Sequence, residues 1–195
     1  IGIECLIEEV EGIMNVDAIA ACSDRLECLI FGMGDYSCCG PTEEEPLMTT
    51  GIVTLHRVLK APPMRVYRAF IEADALAKWL PPHGFTCRVE HLEASVGGTF
   101  RMAFFNFGNG HSHAFGGEYL ELEPGKRIRY TDRFDDPNLP GVMTTTVELT
   151  PVSCGTDVKV VQEGIPGIIP AEACYLGWQE SLTLLTLLVE PEIPG

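Results

Sequence analysis

PAEACYLGWQESLTLLTLLV, residues 170–189, is the stretch on which the fold turns. At about 100° per residue, Ala171, Cys174, Tyr175, Trp178, Ser181, Leu182, Leu185, Leu188 and Val189 share one broad face, with Glu172, Gln179, Glu180 and Thr183 opposite. Pro170 stands where a helix begins and Pro191 just past where it ends, so the pattern predicts one amphipathic helix. Gly177 interrupts it at a cost of about 1 kcal/mol against alanine, which predicts that a sheet or a ligand comes close at that point.

Upstream of this helix the chain reads mostly as short strands. Ile52 to Lys60 is an apolar run stopped by Ala61-Pro62-Pro63. Met64 to Glu72 and Ala73 to Leu80 carry helical spacing, with Val66, Ala69, Phe70, Leu76 and Trp79 inward. Alternating runs follow at 85–92, 99–105, 112–122, 127–134, 142–150 and 156–163, broken by Gly97-Gly98, Asn109-Gly110, Pro124-Gly125, the 137–141 stretch and Ser153-Cys154-Gly155. Consecutive hairpins give an antiparallel sheet, and a long terminal helix needs its apolar face covered. The predicted class is α+β, with the sheet wrapped around the C-terminal helix.

Composition narrows the function classes. The 195 residues are 46% hydrophobic and 21% charged, enough for one good core and an appendage. No apolar run reaches the roughly 18 charge-free residues that a membrane span needs, because Glu172 and Glu180 break the last one. A net charge of −15 opposes nucleic acid and anionic lipid, which leaves neutral, cationic or apolar partners. The sequence opens on Ile1 without a basic-then-apolar leader, and its eight cysteines show no regular spacing and no CxxC. They read as reduced thiols, and a cytoplasmic location is expected.

Charge also exposes a boundary. Residues 1–47 hold eleven acids and one base (Arg25), net −10, and the remaining seventeen acids and twelve bases leave net −5. Gly40-Pro-Thr-Glu-Glu-Glu-Pro46 reads as a charged, proline-flanked linker over residues 40–47, after which Met48-Thr49-Thr50-Gly51 looks like a fresh start. Residues 1–39 have a βαβ rhythm: an apolar run from Ile1 to Ile7, a helix capped by Asn15 and running to Ala21, and a second apolar run from Leu26 to Phe31. Strands of this continuous apolar kind are the parallel, doubly covered type. The wording IECLIEEVEGIMNVDAIAACSDRLECLIFGMGDYS resembles a segment of the citrate lyase beta subunit and malyl-CoA lyase family, magnesium-dependent (β/α)8 barrels in which Glu8 and Asp35 match the two metal-holding carboxylates. A barrel needs about 250 residues, so an inactive fragment without bound metal is expected. Its unpaired strand edges invite either docking or a homodimer.

Residues 48–195 resemble the family of homologues of the activator of the heat-shock-protein-90 ATPase, within the START and Bet v 1-like (SRPBCC) superfamily. The resemblance rests on an ordered series: Lys60-Ala61-Pro62-Pro63 with Val66 and Ala69-Phe70, Lys78-Trp79-Leu80-Pro81-Pro82, Val96-Gly97-Gly98-Thr99-Phe100, Gly117-Glu118-Tyr119 with Glu123-Pro124, Gly155-Thr156, and Gly177-Trp178. It implies a helix-grip fold with an apolar cavity between sheet and helix. It implies little shared chemistry.

Alternation sketches that cavity. Inward positions include Phe85, Cys87 and Val89, then Phe100, Met102 and Phe104, then Leu120 and Leu122, with Ile128 and Tyr130 following. The same parity turns Asp132, Thr145 and Gln162 inward, joined by Tyr175, Trp178, Ser181 and Leu182 from the helix, and a few polar groups in an apolar pocket orient a small ligand. If Leu120 points in, His111 and His113 face water, unless a bulge at Gly116-Gly117 resets the register. No Walker loop, GxSxG, HExxH or Rossmann fingerprint occurs, and no cofactor is expected. Three functions remain open: a non-catalytic binding protein for a small apolar or amphipathic ligand, a chaperone-interaction module as the resemblance implies, and a cavity enzyme of the cyclase type that moves a proton through Asp132 with Tyr130 or Gln162.

Overall fold

The alternating runs fold into hairpins, and one helix closes over them. The computed structural model describes residues 3–7, 26–31 and 51–192, and the chain divides between Leu47 and Met48 into two units. In the smaller unit β1 (Ile3–Ile7) and β2 (Leu26–Phe31) pair in parallel. The predicted helix from Asn15, and both Glu8 and Asp35, lie outside the described residues.

In the larger unit β3 (Gly51–Leu59) is followed by α1 (Pro63–Ala69) and α2 (Ala73–Trp79). A meander comes next: β4 (Phe85–Leu92), β5 (Thr99–Asn106), β6 (Ser112–Glu123), β7 (Arg127–Phe134), β8 (Met143–Val152) and β9 (Gly155–Ile165). The chain then enters α3 (Ala171–Val189). The seven strands are ordered β3-β9-β8-β7-β6-β5-β4, every neighbouring pair antiparallel. Because β3 pairs with the last strand rather than with β4, α1 and α2 must carry the chain from one edge of the sheet to the other. The larger unit has the helix-grip α+β fold, a curled antiparallel sheet around a C-terminal helix.

Local sequence accounts for the element ends. Pro63 occupies the first turn of α1, where its missing N–H is no loss. That helix stops at Ala69, earlier than its spacing predicts, and the Ala69 carbonyl left over accepts a hydrogen bond from Trp79 Nε1 at 2.7 Å. Trp79 is fully buried and meets Phe70 edge to face at 4.7 Å between ring centres, which pins α2 to α1. The core beneath α3 is made by Leu59, Ile128, Val147, Val158, Val160 and Leu185, all wholly out of solvent.

One strand departs from simple alternation. Tyr119 pairs with Tyr130 but Glu121 pairs with Arg129, so Leu120 is an extra residue bulged out of β6. Leu120 is 39% exposed and Tyr119 is 2% exposed. The inward assignment of Leu120 is therefore corrected: the register resets at Leu120 itself, not at Gly116-Gly117. Gly117 has another reason to be glycine, since a Cβ there would collide with the Thr131 carbonyl oxygen of β7. Upstream of the bulge the parity inverts, and Phe115 and His113 come to the same side as Tyr119. His113 thus borders the rim of the concave side while remaining exposed to water, as expected of both histidines, and His111 is exposed in the preceding turn.

Candidate functional site

The concave face of the sheet and α3 do not meet everywhere. Between them lies a cavity of about 360 Å3. Phe100 and Phe104 of β5, Phe115 of β6 and Phe134 of β7 form its aromatic wall, with Phe70 just after α1, Leu76 of α2, Ile165 at the end of β9 and Ile169 beyond it. Ring contacts run through this wall, Phe104 to Phe115 at 4.8 Å and Phe100 to Tyr130 at 5.7 Å. α3 contributes small residues there, Ala173, Gly177 and Ser181, beside Cys174 and Trp178. A Cβ on Gly177 would meet nothing within 4 Å. The sheet therefore does not approach Gly177 closely, and the glycine leaves room instead.

Of the residues singled out from the sequence, Phe100, Met102, Phe104, Tyr130, Asp132, Gln162, Trp178 and Ser181 line the cavity. Thr145 and Leu182 are buried but lie in the packed core outside its wall. Tyr175 is 38% exposed and off the wall. The face of α3 that meets the void runs from Ala173 and Gly177 through Ser181 and Cys174 to Trp178, and so extends past one edge of the broad apolar stripe. Sequence reasoning missed Phe115, Phe134, Tyr119, His113 and the two small helix residues. Phe134 follows Asp132 at the strand period and was within reach of parity, whereas Phe115, Tyr119 and His113 were hidden by the bulge.

The polar groups divide by what they already hold. Gln162 Oε1 accepts from Trp178 Nε1 at 2.8 Å and from Cys174 Sγ at 3.0 Å, so this carboxamide staples β9 to α3; its Nε2 faces the Met143 Sδ at 3.6 Å, a weak acceptor. Ser181 Oγ lies 2.7 Å from the Leu80 carbonyl and 3.0 Å from that of Gly177, and its single proton ties α3 to the end of α2. Tyr119 donates to the Phe70 carbonyl at 3.2 Å.

Asp132 differs from all of these. It is 7% exposed, its carboxyl borders the cavity, and among the described residues it accepts no hydrogen bond. Burial pushes its carboxyl up from 3.8 to about 7. Burial, and secondarily the charge of Asp132, holds the Tyr130 phenol above its ordinary range and raises the Cys174 thiol to about 11. Among the described residues no three His, Cys, Asp or Glu side chains gather as a metal site requires. This arrangement can enclose an apolar body and hold one polar end of it.

The family model described as Activator of Hsp90 ATPase homolog 1-like protein matches residues 60–190. The chain belongs to this family. A Chromobacterium violaceum protein solved by X-ray crystallography is 63% identical to it, with 72% of this chain and 98% of that one covered and a TM-score of 0.72. A Nitrosomonas europaea protein is 27% identical over 70% of this chain and 92% of its own, TM-score 0.58. A Rhizobium loti protein, 24% identical over 73% of this chain and 99% of its own with a TM-score of 0.62, shares the fold. No curated protein sequence matches. As a member of the activator-homologue family, the larger unit is a ligand-binding or activator-like module. Among the described residues no helix is long and apolar enough to cross a membrane.

Proposed function

We propose that the larger unit binds a small, mostly apolar molecule in the cavity between α3 and the sheet. The void itself carries this reading. Protein interiors pack as densely as organic crystals, and pockets of roughly 300–1,000 Å3 lined by apolar side chains with a few placed polar groups are the form that small-molecule sites take. Here about 360 Å3 stays open where α3 presents Ala173 and Gly177, and larger side chains at either position would close it.

Trp178 is a built-in reporter, since its ring borders the cavity and its N–H is committed to Gln162. Titrating the protein with a panel of fatty acids, planar aromatics and polyketides is expected to quench its fluorescence for at least one class, and native mass spectrometry should show a one-to-one adduct. Trp178→Phe removes the response and separates it from the signal of Trp79. A full panel with neither quenching nor adduct sinks the reading.

The family description supports a second reading, contact with a heat-shock-protein-90 chaperone. Pull-down against that chaperone with ATP turnover as readout tests it; no stimulation at saturating concentration rules it out. Residues 1–39 are assigned no catalysis, and magnesium-dependent cleavage of an acyl-CoA by the full chain would overturn that assignment.

A further inference from the structure

An apolar ligand alone would leave one group in this cavity worse off than before. Asp132 is nine-tenths buried, its carboxyl borders the void, and among the described residues nothing donates to it. The elements packed around it offer little. Across the ladder on β8 stands Met143, a thioether. On β9 the Gln162 oxygen is taken by Trp178 and Cys174, and its amide nitrogen faces the Met143 sulfur. On its own strand Tyr130 is a neutral phenol, on β6 Tyr119 is spent on the Phe70 carbonyl, and on α3 Cys174 is a neutral thiol. His113, at the far rim of the β6 wall opposite Phe104 in register, is among the described residues the one other titratable base bordering the cavity. Among the described residues neither lysine nor arginine lines it.

We infer that the ligand is an amphipathic amine, an apolar body of aromatic size carrying a protonated nitrogen that ion-pairs with the Asp132 carboxylate. This rests on the cavity being the ligand site. A neutral hydrocarbon would seal the carboxyl further from water, and an anion would set like charges together in a low-dielectric space; a cation restores what burial removes. Phe100, Tyr119 and Tyr130 stand with ring centres 5.5–6.1 Å apart along the same wall and offer faces to a cation. The net charge of −15 draws cations toward the chain. Because the bound amine requires the ionised carboxylate, protons compete with it below neutrality, and affinity falls about tenfold from pH 8 to pH 6. A variant lacking the carboxyl isolates the contribution of Asp132 from that of His113 at the cavity rim.

The test is calorimetric titration of the full chain with three probes of one shape: 1-naphthylmethylamine, 1-naphthylmethanol and 1-naphthoic acid. Wild type at pH 8 is expected to bind the amine at least tenfold more tightly than the alcohol and the acid more weakly than either. Asp132→Asn is expected to bring the amine to the level of the alcohol, to leave the alcohol within twofold, and to flatten the pH dependence. Should that variant not fold, the wild-type series from pH 6 to 8 decides alone: an amine affinity that does not fall on acidification refutes the inference. An alcohol bound as tightly as the amine, or an amine preference that survives Asp132→Asn, refutes it and leaves the ligand-cavity reading standing. Silence from all three probes refutes the inference, and silence from the wider panel as well refutes the cavity reading.

Discussion

Asp132→Asn should change how the stability of this protein depends on pH. The wild-type carboxyl sits at about 7 in the folded chain against an ordinary 3.8, raised by burial. Below the lower value both folded and unfolded states hold the proton, and the group is neutral to stability. Between the two values the unfolded chain has lost the proton and the folded one keeps it, so ΔG of unfolding falls by about 1.4 kcal/mol per pH unit. Above about pH 7 both are ionised and the loss stops growing, at roughly 4 kcal/mol. Asparagine fills nearly the same volume and carries no charge at any pH. The gap between variant and wild type should therefore widen by roughly 2–3 kcal/mol from pH 5 to pH 8, which for a unit of this size is about 5–10 °C in Tm. Urea or thermal unfolding of both proteins at pH 5, 6, 7 and 8 measures it, and groups common to both cancel in the difference. Parallel stability curves would refute the reasoning, because they would mean the carboxyl is solvated or partnered in the folded state.

Other consequences follow from the same site. Gly177→Ala is expected to stabilise α3 by about 1 kcal/mol, since the added Cβ meets open space; Gly177→Phe should keep the fold by circular dichroism and abolish ligand quenching of Trp178. Gln162→Leu leaves the Trp178 N–H and the Cys174 thiol without their acceptor, and should cost about 1–3 kcal/mol in urea unfolding with a shift in tryptophan emission. Removing residues 1–47 is expected to leave the ligand affinity and the folding of the remainder unchanged, because among the described residues every one lining the cavity lies between Phe70 and Ser181. Lost binding in that shortened chain would place part of the site in the first unit.

Most of the fold was legible because burial imposes a period on the sequence. Phe100-x-Met102-x-Phe104 and Ile128-x-Tyr130-x-Asp132 show which side of their strands faces the helix, and the glycine and proline breaks between runs mark the hairpins. The α3 stripe was equally plain. The bulge was not, because Leu120 is as apolar as a core residue and nothing in the side chains of 118–121 says that the backbone will carry an extra residue. That single event moved Tyr119, Phe115 and His113 to the cavity and Leu120 away from it. Tyr175 failed for another reason: at about 100° per residue it stands at the edge of the apolar face of α3, and that edge is open to solvent.

The site was harder to read than the fold because a cavity is made by missing atoms. Hydrophobic pattern weighs the residues that are present, so it ranked Leu182 and Tyr175 above Ala173 and Gly177, although the two small residues are the ones that leave room. Parity likewise placed Asp132 and Gln162 on one face without separating them. The separation lies in their partners, which only the packed structure supplies. Gln162 meets a tryptophan N–H and a thiol and becomes a staple, whereas Asp132 meets a thioether, a phenol and empty space. An amide on β9 and a carboxylate on β7, facing the same side of the sheet across β8, thus reach opposite ends. One is spent on holding α3 to the sheet, and the other borders the cavity and accepts nothing among the described residues, which is why ligand chemistry should be sought at Asp132 and structural damage at Gln162.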